Sequence, residues 1–474
     1  MLDKRALSNV LSRALARGGD FAEIYIEEKR LTNVLCEDNK IERINSGREK
    51  GAGIRVLKDG NTAYVHTNDL SEDGLTKAAE LATHAAGSAY SMDRHINLSL
   101  QPAQFNLEFL RLPEEVEITE KINHVLAANR TARELDEEIR QVTVAVADMQ
   151  RKVQIANSDG ILIEDEIARV RMAVNVIAVR DGMVQTGYEA AGGVSGWEIL
   201  DNVSLEDMAR QAASRAVNLL SAVPAPAGRM PVVMHAEAGG TMVHEACGHG
   251  LEADLVQKGL SVYKDKLGEQ VAISELSVID DATLKGKYGS FRFDDEGSPA
   301  QRTVLIDKGL LKSFLNDRLT ASKDGAELTG NGRRESYQSK PIPRMSNTFI
   351  APGGDDPEEI IASTAQGLLV KKMGGGQVNT TNGDFVFEVQ EGYIIENGQI
   401  KVPVRGATLT GNGPQALLDI DRVGRDLGFA IGVCGKDGQG VAVADAQPTI
   451  RIKELTVGGT GHDDNQTIKR IRRK

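Results

Sequence analysis

Cysteine is scarce in this chain, and long apolar segments are missing. The 474 residues include three cysteines, Cys36, Cys247 and Cys434, too few for a disulfide framework and in keeping with a reducing compartment. No apolar run reaches the ~18 residues at which a transmembrane helix becomes a candidate. Residues 1–21 have apolar positions at helical spacing that Lys and Arg interrupt, so they lack the apolar core of a secretory signal. These absences predict a cytoplasmic protein that does not enter a membrane.

A broad basic surface is also missing. The formal net charge is −12, and the only dense run of basic residues is the terminal segment IKRIRRK, residues 468–474. Such a chain has no cationic face with which to bind a phosphate backbone, so we expect no nucleic-acid partner. The basic terminus itself is typical of a solvated chain end.

Length and composition indicate a soluble protein of more than one domain. Hydrophobic residues make up 41% of the chain and charged residues 26%, which is typical of globular proteins. A chain of 474 residues exceeds what one hydrophobic core usually holds. Residues 221–231, SAVPAPAGRMP, contain three prolines and a glycine, which interrupt both helix and strand. We therefore predict two domains, over residues 1–222 and 223–474.

The N-terminal half looks duplicated. Two segments can be aligned, and each predicts a lead helix, alternating strands joined by turn dipeptides, and a closing helix. The aligned pairs are residues 38–40 with 158–160, 58–60 with 180–182, and Ser71 with Ser204. No cluster of metal-binding side chains occurs there, so we interpret this half as a scaffold. The fold class predicted for the whole chain is α+β, with duplicated helix/antiparallel-sheet units followed by a mostly antiparallel sheet domain with a zinc-binding helix.

One glycine-flanked strand in the C-terminal half invites a functional interpretation. Residues 383–393, GDFVFEVQEGY, have the alternation of a β-strand. As an edge strand, this segment could bind an extended peptide through backbone hydrogen bonds. As an internal strand of a closed sheet, it could not, and the sequence leaves both possibilities open.

The segment TMVHEACGHGLEAD contains the spacing H-E-x-x-x-H, one residue longer than the H-E-x-x-H of many zinc peptidases. Residues of a regular α-helix advance by about 100° each, so His244 and His249 could not face one ion from an unbroken helix. Gly248 and Gly250 flank His249 and are poor helix formers. We therefore predict a wide i→i+5 turn, or an unwound helix, at Ala246–His249.

Glu245 follows the first histidine and is a candidate general base for a metal-bound water. A catalytic zinc generally has three protein ligands and an open fourth position, so a third ligand is needed. The candidates are Cys434, Cys247, His235, Glu252, Asp254 and His462. Cys434 lies on an apolar strand before a glycine-rich loop, although a buried cysteine is more often inert packing. Alternatively, the two histidines only form hydrogen bonds in the core, which would leave Glu245 buried at a cost and without a task.

Several blocks in fixed order resemble the catalytic members of the TldD/PmbA family of metallopeptidases. The blocks are HEACGHGLEAD, FDDEGSPAQRTVLIDKGLLKSFLNDR, NGRRESYQSKPIPRMSNT, GDFVFEVQEGYIIENGQI and CGKDGQGVAVADAQPTIRI with the following TVGG. The resemblance runs through nearly the whole chain and is far more specific than the zinc motif alone. It departs from the family pattern at Ala444, Asp445 and Ala446, where glycine is more usual, and this bears on the geometry of what we expect to be a loop.

The resemblance implies a zinc site and a partner. By position it makes His244, His249 and Cys434 the zinc ligands and Glu245 the catalytic residue. It also implies a heterodimer with a TldE/PmbA-type paralogous subunit that lacks the zinc motif, and a cleft between the subunits in which unfolded polypeptides or peptides are cleaved.

A basic segment between the blocks supplies candidate substrate-binding residues. Residues 331–345 contain Arg333, Arg334, Tyr337 and Arg344 in a stretch stiffened by two prolines. One of these side chains could bind a substrate carboxylate or stabilise the oxyanion of the tetrahedral intermediate. The alternative is that they form salt bridges with nearby carboxylates such as Asp294 and Asp295.

These observations predict a zinc peptidase of the HExxxH type that acts on unfolded proteins or peptides through a metal-bound water activated by Glu245. Two alternatives remain at this point. One is a zinc amidohydrolase that acts on a small molecule. The other is a non-catalytic interaction or modulator protein with structural zinc, which four protein ligands would distinguish from a catalytic site.

Overall fold

The fold combines extensive β-sheet with short helices, in a computed structural model that describes residues 2–87 and 95–459. The predicted α+β class is confirmed. His462 and the basic terminus lie outside the described residues. Among the described helices, none is both long and apolar enough to cross a membrane.

The N-terminal sheet is built from long antiparallel strands. Its strands are β1 (Phe21–Glu37), β2 (Lys40–Lys58), β3 (Asn61–Thr67), β4 (Ser99–Leu100), β5 (Ile139–Asn157), β6 (Ile161–Arg180) and β7 (Met183–Gly193). The order is β3-β2-β1-β5-β6, and both β4 and β7 pair with β6. Four helices accompany these strands: α1 (Lys4–Leu15), α2 (Glu72–Ala85), α3 (Ile118–Arg133) and α4 (Leu205–Leu220).

A helix, three antiparallel strands and a second helix occur in that order twice in this half. Helices α1 and α2 cover one apolar cluster, and α3 and α4 cover a second. The two closing helices begin where the sequence indicates, because the Ser71 hydroxyl accepts a hydrogen bond from the Gly74 amide and the Ser204 hydroxyl accepts one from the Asp207 amide. The duplication of the sequence itself stays a prediction.

The C-terminal half contains a six-stranded sheet and an eight-stranded sheet. The first contains β10 (Val278–Asp281), β11 (Arg302–Asp307), β12 (Leu310–Leu311), β15 (Asn347–Ile350), β21 (Gly428–Lys436) and β22 (Gln439–Gln447). The second contains β8 (Val223–Pro224), β9 (Gly228–Met234), β16 (Gln366–Asn379), β17 (Asp384–Glu396), β18 (Gln399–Arg405), β19 (Thr408–Asn412), β20 (Ile420–Val423) and β23 (Ile450–Gly458). A short pair, β13 (Gly332–Arg333) and β14 (Ile342–Pro343), lies apart.

The first of these sheets has the order β12-β11-β10-β15-β22-β21, so β21 is its last strand. Most pairs in both sheets are antiparallel, as predicted, but β15–β22, β9–β16 and β8–β18 are parallel. The helices of this half are short: α5 (Thr241–Val243), α6 (Ala253–Gln257), α7 (Arg318–Asp324), α8 (Pro357–Ala362) and α9 (Gly413–Asp419).

Of the two possibilities for the segment 383–393, the internal strand is the one found, and the expectation of a loop at residues 444–446 is wrong. Strand β17 pairs with β16 on one edge and with β19 and β18 on the other, so the segment 383–393 offers no free edge to a peptide. Residues 444–446 do not form a loop but lie within β22, where they pair with β15 on one side and β21 on the other. Local alternation predicts a strand but does not show on how many edges that strand is paired.

Buried ion pairs join the two halves. The guanidinium of Arg55 on β2 contacts the carboxylate of Glu296, and the guanidinium of Arg334 contacts Glu23 on β1. All four side chains are almost fully buried. Removing one partner of such a pair leaves an uncompensated buried charge, so these contacts fix how the N-terminal sheet sits on the C-terminal half.

Candidate metal centre

The H-E-x-x-x-H segment is a helix of changing pitch. After α5, residues His244–Gly248 form a turn of π-helix, and residues His249–Leu251 continue as a 3₁₀ turn. The amide of His249 donates to the carbonyl of His244, five residues earlier. The predicted wide turn is therefore present. Gly248 in this turn packs closely against Met345, where a Cβ would lie 2.2 Å from the Met345 sulfur.

The wide turn brings both imidazoles to one cysteine. His244 Nε2 lies 3.2 Å and His249 Nε2 3.3 Å from Cys434 Sγ. The two rings are nearly perpendicular, with centroids 4.9 Å apart. The ligand atoms of the three residues all lie within 4.8 Å of one another. Cys434 lies on β21, 190 positions after His244 in the sequence.

Each histidine is held from behind by a carboxylate. Asp445 Oδ1 lies 2.7 Å from His244 Nδ1, and Glu252 Oε2 lies 3.0 Å from His249 Nδ1. An ionised carboxylate only accepts hydrogen bonds, so each Nδ1 carries a proton and each Nε2 faces Cys434. Outer carboxylates of this kind orient metal-binding histidines and raise their basicity.

The charges of the group favour a thiolate. Burial alone raises the pKa of the Cys434 thiol, but hydrogen bonds from His244 and His249 outweigh burial and lower that pKa to about 5. Burial lowers the pKa of His249, whereas Glu252 and Cys434 raise it to about 9. The thiolate is the metal-binding form of cysteine. A metal cation that replaced the Nε2 protons of the two histidines would therefore contact a negatively charged sulfur and two imidazole nitrogens. Each of these imidazoles is hydrogen-bonded through its Nδ1 to a carboxylate.

The donor set fits zinc. Two imidazole nitrogens and one thiolate are typical zinc ligands. A tetrahedral ion with Zn–N of about 2.0 Å and Zn–S of about 2.3 Å sets nitrogen and sulfur about 3.5 Å apart. The two distances found here, 3.2 and 3.3 Å, differ from that value by a few tenths of an ångström, which small side-chain movements accommodate.

Glu245 lies beside the three donors and is not engaged elsewhere. Its carboxylate forms no hydrogen bond or ion pair with another of the residues that the structure describes. Burial raises the pKa of Glu245, and His244 and His249 partly oppose this. The side chain lines a cleft of about 590 Å³ together with β21 and the glycines at 374–376 of β16. A free carboxylate of raised pKa in a cleft is suited to proton transfer.

Comparisons with known proteins identify the family of this chain. Three family models match in order: PmbA/TldA metallopeptidase domain 1 over residues 22–86, the central domain over residues 111–220 and the C-terminal domain over residues 227–459. The chain belongs to the PmbA/TldD metallopeptidase family. The C-terminal match contains the H-E-x-x-x-H segment and Cys434.

Relatives cover almost the full length of the chain. A metalloprotease of Methanocaldococcus jannaschii is 39% identical over 91% of this chain and 96% of its own. A metalloprotease TldD homologue of Haemophilus influenzae is 35% identical over 97% of each chain.

Solved structures share the fold. One, from Thermotoga maritima and described as a candidate modulator of a DNA gyrase, has a TM-score of 0.78 at 25% identity and covers 96% of this chain and 100% of that one. TldE from Thermococcus kodakarensis, at 20% identity, has a TM-score of 0.75 over 96% of this chain and 100% of its own.

The other candidate ligands of this PmbA/TldD-family chain are engaged elsewhere. The Cys247 thiol donates to the Val243 carbonyl, and burial raises its pKa to about 12. His235 Nδ1 accepts the Glu237 amide. Asp254 accepts from Lys436 at 2.6 Å. Glu252, as described above, supports His249 from behind.

The four predicted substrate-binding residues do not line the metal cleft. Arg333 donates to the carbonyls of Met345 and Ala442, and Arg334 is buried against the N-terminal sheet. The Tyr337 amide donates to Glu27 of β1. In the second interpretation of this segment, the four side chains form salt bridges with Asp294 and Asp295. Arg333 does not, because no carboxylate among the described residues lies within 4 Å of its guanidinium.

Arg344 contacts the cysteine of the candidate metal centre directly. It is fully buried and donates to the carbonyls of Cys434 and Gln439. This contact braces the β21–β22 hairpin, which carries the cysteine. A direct role of the four residues in substrate binding stays a prediction.

Proposed function

We propose that this chain is a zinc-dependent peptidase in which His244, His249 and Cys434 hold the metal and Glu245 is the general base. The observation that carries the proposal is the convergence of three metal donors beside an unengaged glutamate in an open cleft. Relatives named metalloproteases support it. Among the described residues the group has three protein donors, as in catalytic zinc sites, whereas structural sites usually have four.

Different residues of the chain would transfer the proton and hold the metal ligands in position. A bound zinc supplies Lewis acidity, which makes water a better nucleophile and polarises the scissile carbonyl. Glu245 accepts the proton of the attacking water and donates it to the departing amine. Asp445 and Glu252 keep the two imidazoles oriented, and the Arg344 contact with the Cys434 carbonyl keeps the thiolate in place.

An unfolded polypeptide fits the cleft better than a compact molecule. The Gly440 amide and the Ala442 carbonyl bond outward, to Glu335 and Arg333. Antiparallel pairs alternate between facing inward and outward, so their β21 partners Gly435 and Val433 point their backbone groups away from β22. Because β21 is the last strand of its sheet, these groups are available to an extended substrate beside Cys434.

We further infer a heterodimer with a TldE/PmbA-type paralogue in the cytoplasm. The cleft opens to solvent along β21, and Val433 on this strand is 62% exposed, so a second subunit could close the site. The fold shared with TldE from Thermococcus kodakarensis supports a paralogous partner. The predicted units 1–222 and 223–474 serve here as scaffold and catalytic domain.

A cleavage assay tests the proposal. The zinc-loaded chain, alone and mixed with its paralogous subunit, is incubated with an unfolded protein such as reduced casein, a folded protein and a set of small amides. We expect peptide products from the unfolded protein only, and none with Glu245→Gln. Hydrolysis of small amides but not of peptides would favour an amidohydrolase. A zinc-loaded complex that cleaves nothing would favour structural zinc.

A further inference from the structure

A second cavity lies between the N-terminal sheet and the C-terminal half. Its volume is about 540 Å³, and none of its lining residues belongs to the cleft that contains the metal donors. One wall is a face of strands β1, β2, β5 and β6. The opposite wall is formed by residues 288–295, 333–335 and 440–442.

Two buried arginines in this cavity have no carboxylate partner. Arg169 on β6 is 7% exposed, and its Nε and Nη2 atoms donate to the carbonyls of Tyr288 and Ser290 at 3.0 and 2.9 Å. Arg333, 5% exposed, donates to two backbone carbonyls. Neither guanidinium lies within 4 Å of a carboxylate in the part of the chain that the structure describes. Buried charges are normally paired, so this pair is unusual.

A third arginine adds to the positive charge. Arg171 lies two residues after Arg169 on the same strand and therefore faces the same side of the sheet. It is half-buried, and its side chain donates one hydrogen bond, to the Tyr188 hydroxyl at 3.1 Å. Its Nε atom is buried without a hydrogen-bond partner.

The carboxylates that line the cavity are already engaged. Asp295 pairs with Arg151 at 3.2 Å. Asp294 accepts three backbone amides at 2.8 to 3.0 Å. Asp148 accepts from Lys121 at 2.6 Å, and Glu335 accepts the Gly440 amide. Among the described residues, no carboxylate therefore forms an ion pair with Arg169, Arg171 or Arg333.

Burial and nearby charges shift the pKa values of the two buried arginines, Arg169 and Arg333. Burial, followed by the nearby charges of Arg151 and Arg333, lowers the pKa of Arg169 to about 9. Burial lowers the pKa of Arg333 to about 10, although Asp295 opposes it. Both groups are charged at neutral pH, and an anion bound in the cavity would offset their burial and mutual repulsion.

We propose that this cavity binds a small organic anion through a carboxylate or phosphate group held by Arg169, Arg171 and Arg333. Guanidinium groups bind both kinds of oxyanion with paired hydrogen bonds. Asn33 and Asn45 on the β1–β2 hairpin provide neutral polar contacts, and Phe291 provides an apolar wall for the rest of the ligand. The site is separate from the metal centre, so the inference does not depend on the proposed peptidase activity.

Calorimetric titration of the zinc-loaded full chain tests the inference. Inorganic phosphate and succinate are the two probes, each titrated against sodium chloride of equal ionic strength. We expect saturable binding of at least one probe, and the stronger probe identifies which oxyanion the site prefers. Arg169→Gln and Arg171→Gln should each weaken that binding at least tenfold. Arg210→Gln, which removes an exposed positive charge from α4, should leave it unchanged.

Two results would overturn the inference. One is the absence of saturable binding for both probes. The other is binding that persists in Arg171→Gln but disappears in Cys434→Ser, which would place the anion at the metal. Because Arg171 is half-exposed, its variant provides the test even if Arg169→Gln fails to fold.

Discussion

His244 and Asp445 lie 201 positions apart in sequence, yet a hydrogen bond of 2.7 Å joins His244 Nδ1 to Asp445 Oδ1. Both side chains are buried. The carboxylate raises the pKa of His244 well above its ordinary value, despite the opposing effect of burial. It also fixes the ring so that Nε2 faces Cys434. The proposed metal site therefore depends on a residue that is not itself among the three donors.

Replacing Asp445 should weaken zinc binding without abolishing it. We expect Asp445→Ala to lower the zinc affinity about 10- to 100-fold, the usual effect of losing a carboxylate behind a metal-bound histidine. Asp445→Asn, which keeps an acceptor but loses the charge, should have a smaller effect. Competition with a chromophoric chelator measures both. Asp437→Asn removes a charge from the exposed turn of the same hairpin and serves as control. Wild-type affinity in Asp445→Ala would exclude the positioning role.

Zinc content distinguishes the two buried cysteines of the C-terminal half. Elemental mass spectrometry should find about one zinc per wild-type chain and little in Cys434→Ser. Cys247→Ser is the matched control, because Cys247 lies within the H-E-x-x-x-H segment but its thiol bonds to the Val243 carbonyl. It should retain its zinc. A fully loaded Cys434→Ser protein would show that another residue is the third ligand.

Local geometry was the predictable part of the site. The wide turn follows from the angular step of a helix and from the spacing of His244 and His249, and both are properties of a few neighbouring residues. The starts of α2 and α4 follow in the same way from Ser71 and Ser204, whose hydroxyls accept amides three residues on. Such features need no knowledge of distant contacts.

The features of the site that the sequence did not predict depend on contacts between residues far apart in the sequence. Glu252 was considered as a metal ligand and proved to be the partner of His249, and Asp445 was not considered for any role at the site. Its position follows from the β21–β22 register and from the approach of that hairpin to the π-turn, which local patterns do not encode. The same holds for Arg333 and Arg334, since arginine is seldom fully buried and the sequence gives no sign of the sheet that covers them.

Removing the Glu245 carboxylate should stop catalysis and leave the metal in place. Glu245 contacts none of the described groups through a hydrogen bond, so Glu245→Gln should fold and bind zinc normally. General acid–base catalysis typically contributes a factor on the order of 10²–10⁴, and we expect a loss of that size in peptide hydrolysis. Glu237→Gln, at an exposed site, is the control. Appreciable cleavage by Glu245→Gln with a full complement of zinc would remove Glu245 from the mechanism.

The reactivity of Cys434 in metal-free protein should show an unusual dependence on pH. An ordinary cysteine has a pKa of about 8.5, so its alkylation rate rises up to that pH. The hydrogen bonds from His244 and His249 outweigh burial and lower the pKa of Cys434 to about 5. Its thiolate is therefore formed above pH 5 and protonated below it. Labelling with iodoacetamide, followed by peptide mass mapping, should give a rate that rises through pH 5 and is level from pH 7 to 9.

Zinc should suppress that labelling, because the thiolate would then be a metal ligand. Cys247 provides an internal control in the same samples, since burial raises the pKa of its thiol to about 12 and it should stay unlabelled throughout. A rate for Cys434 that climbs steadily from pH 7 to 9 would mean that the two imidazoles do not stabilise the thiolate. The three side chains would then lack the charge distribution on which the proposed zinc site rests.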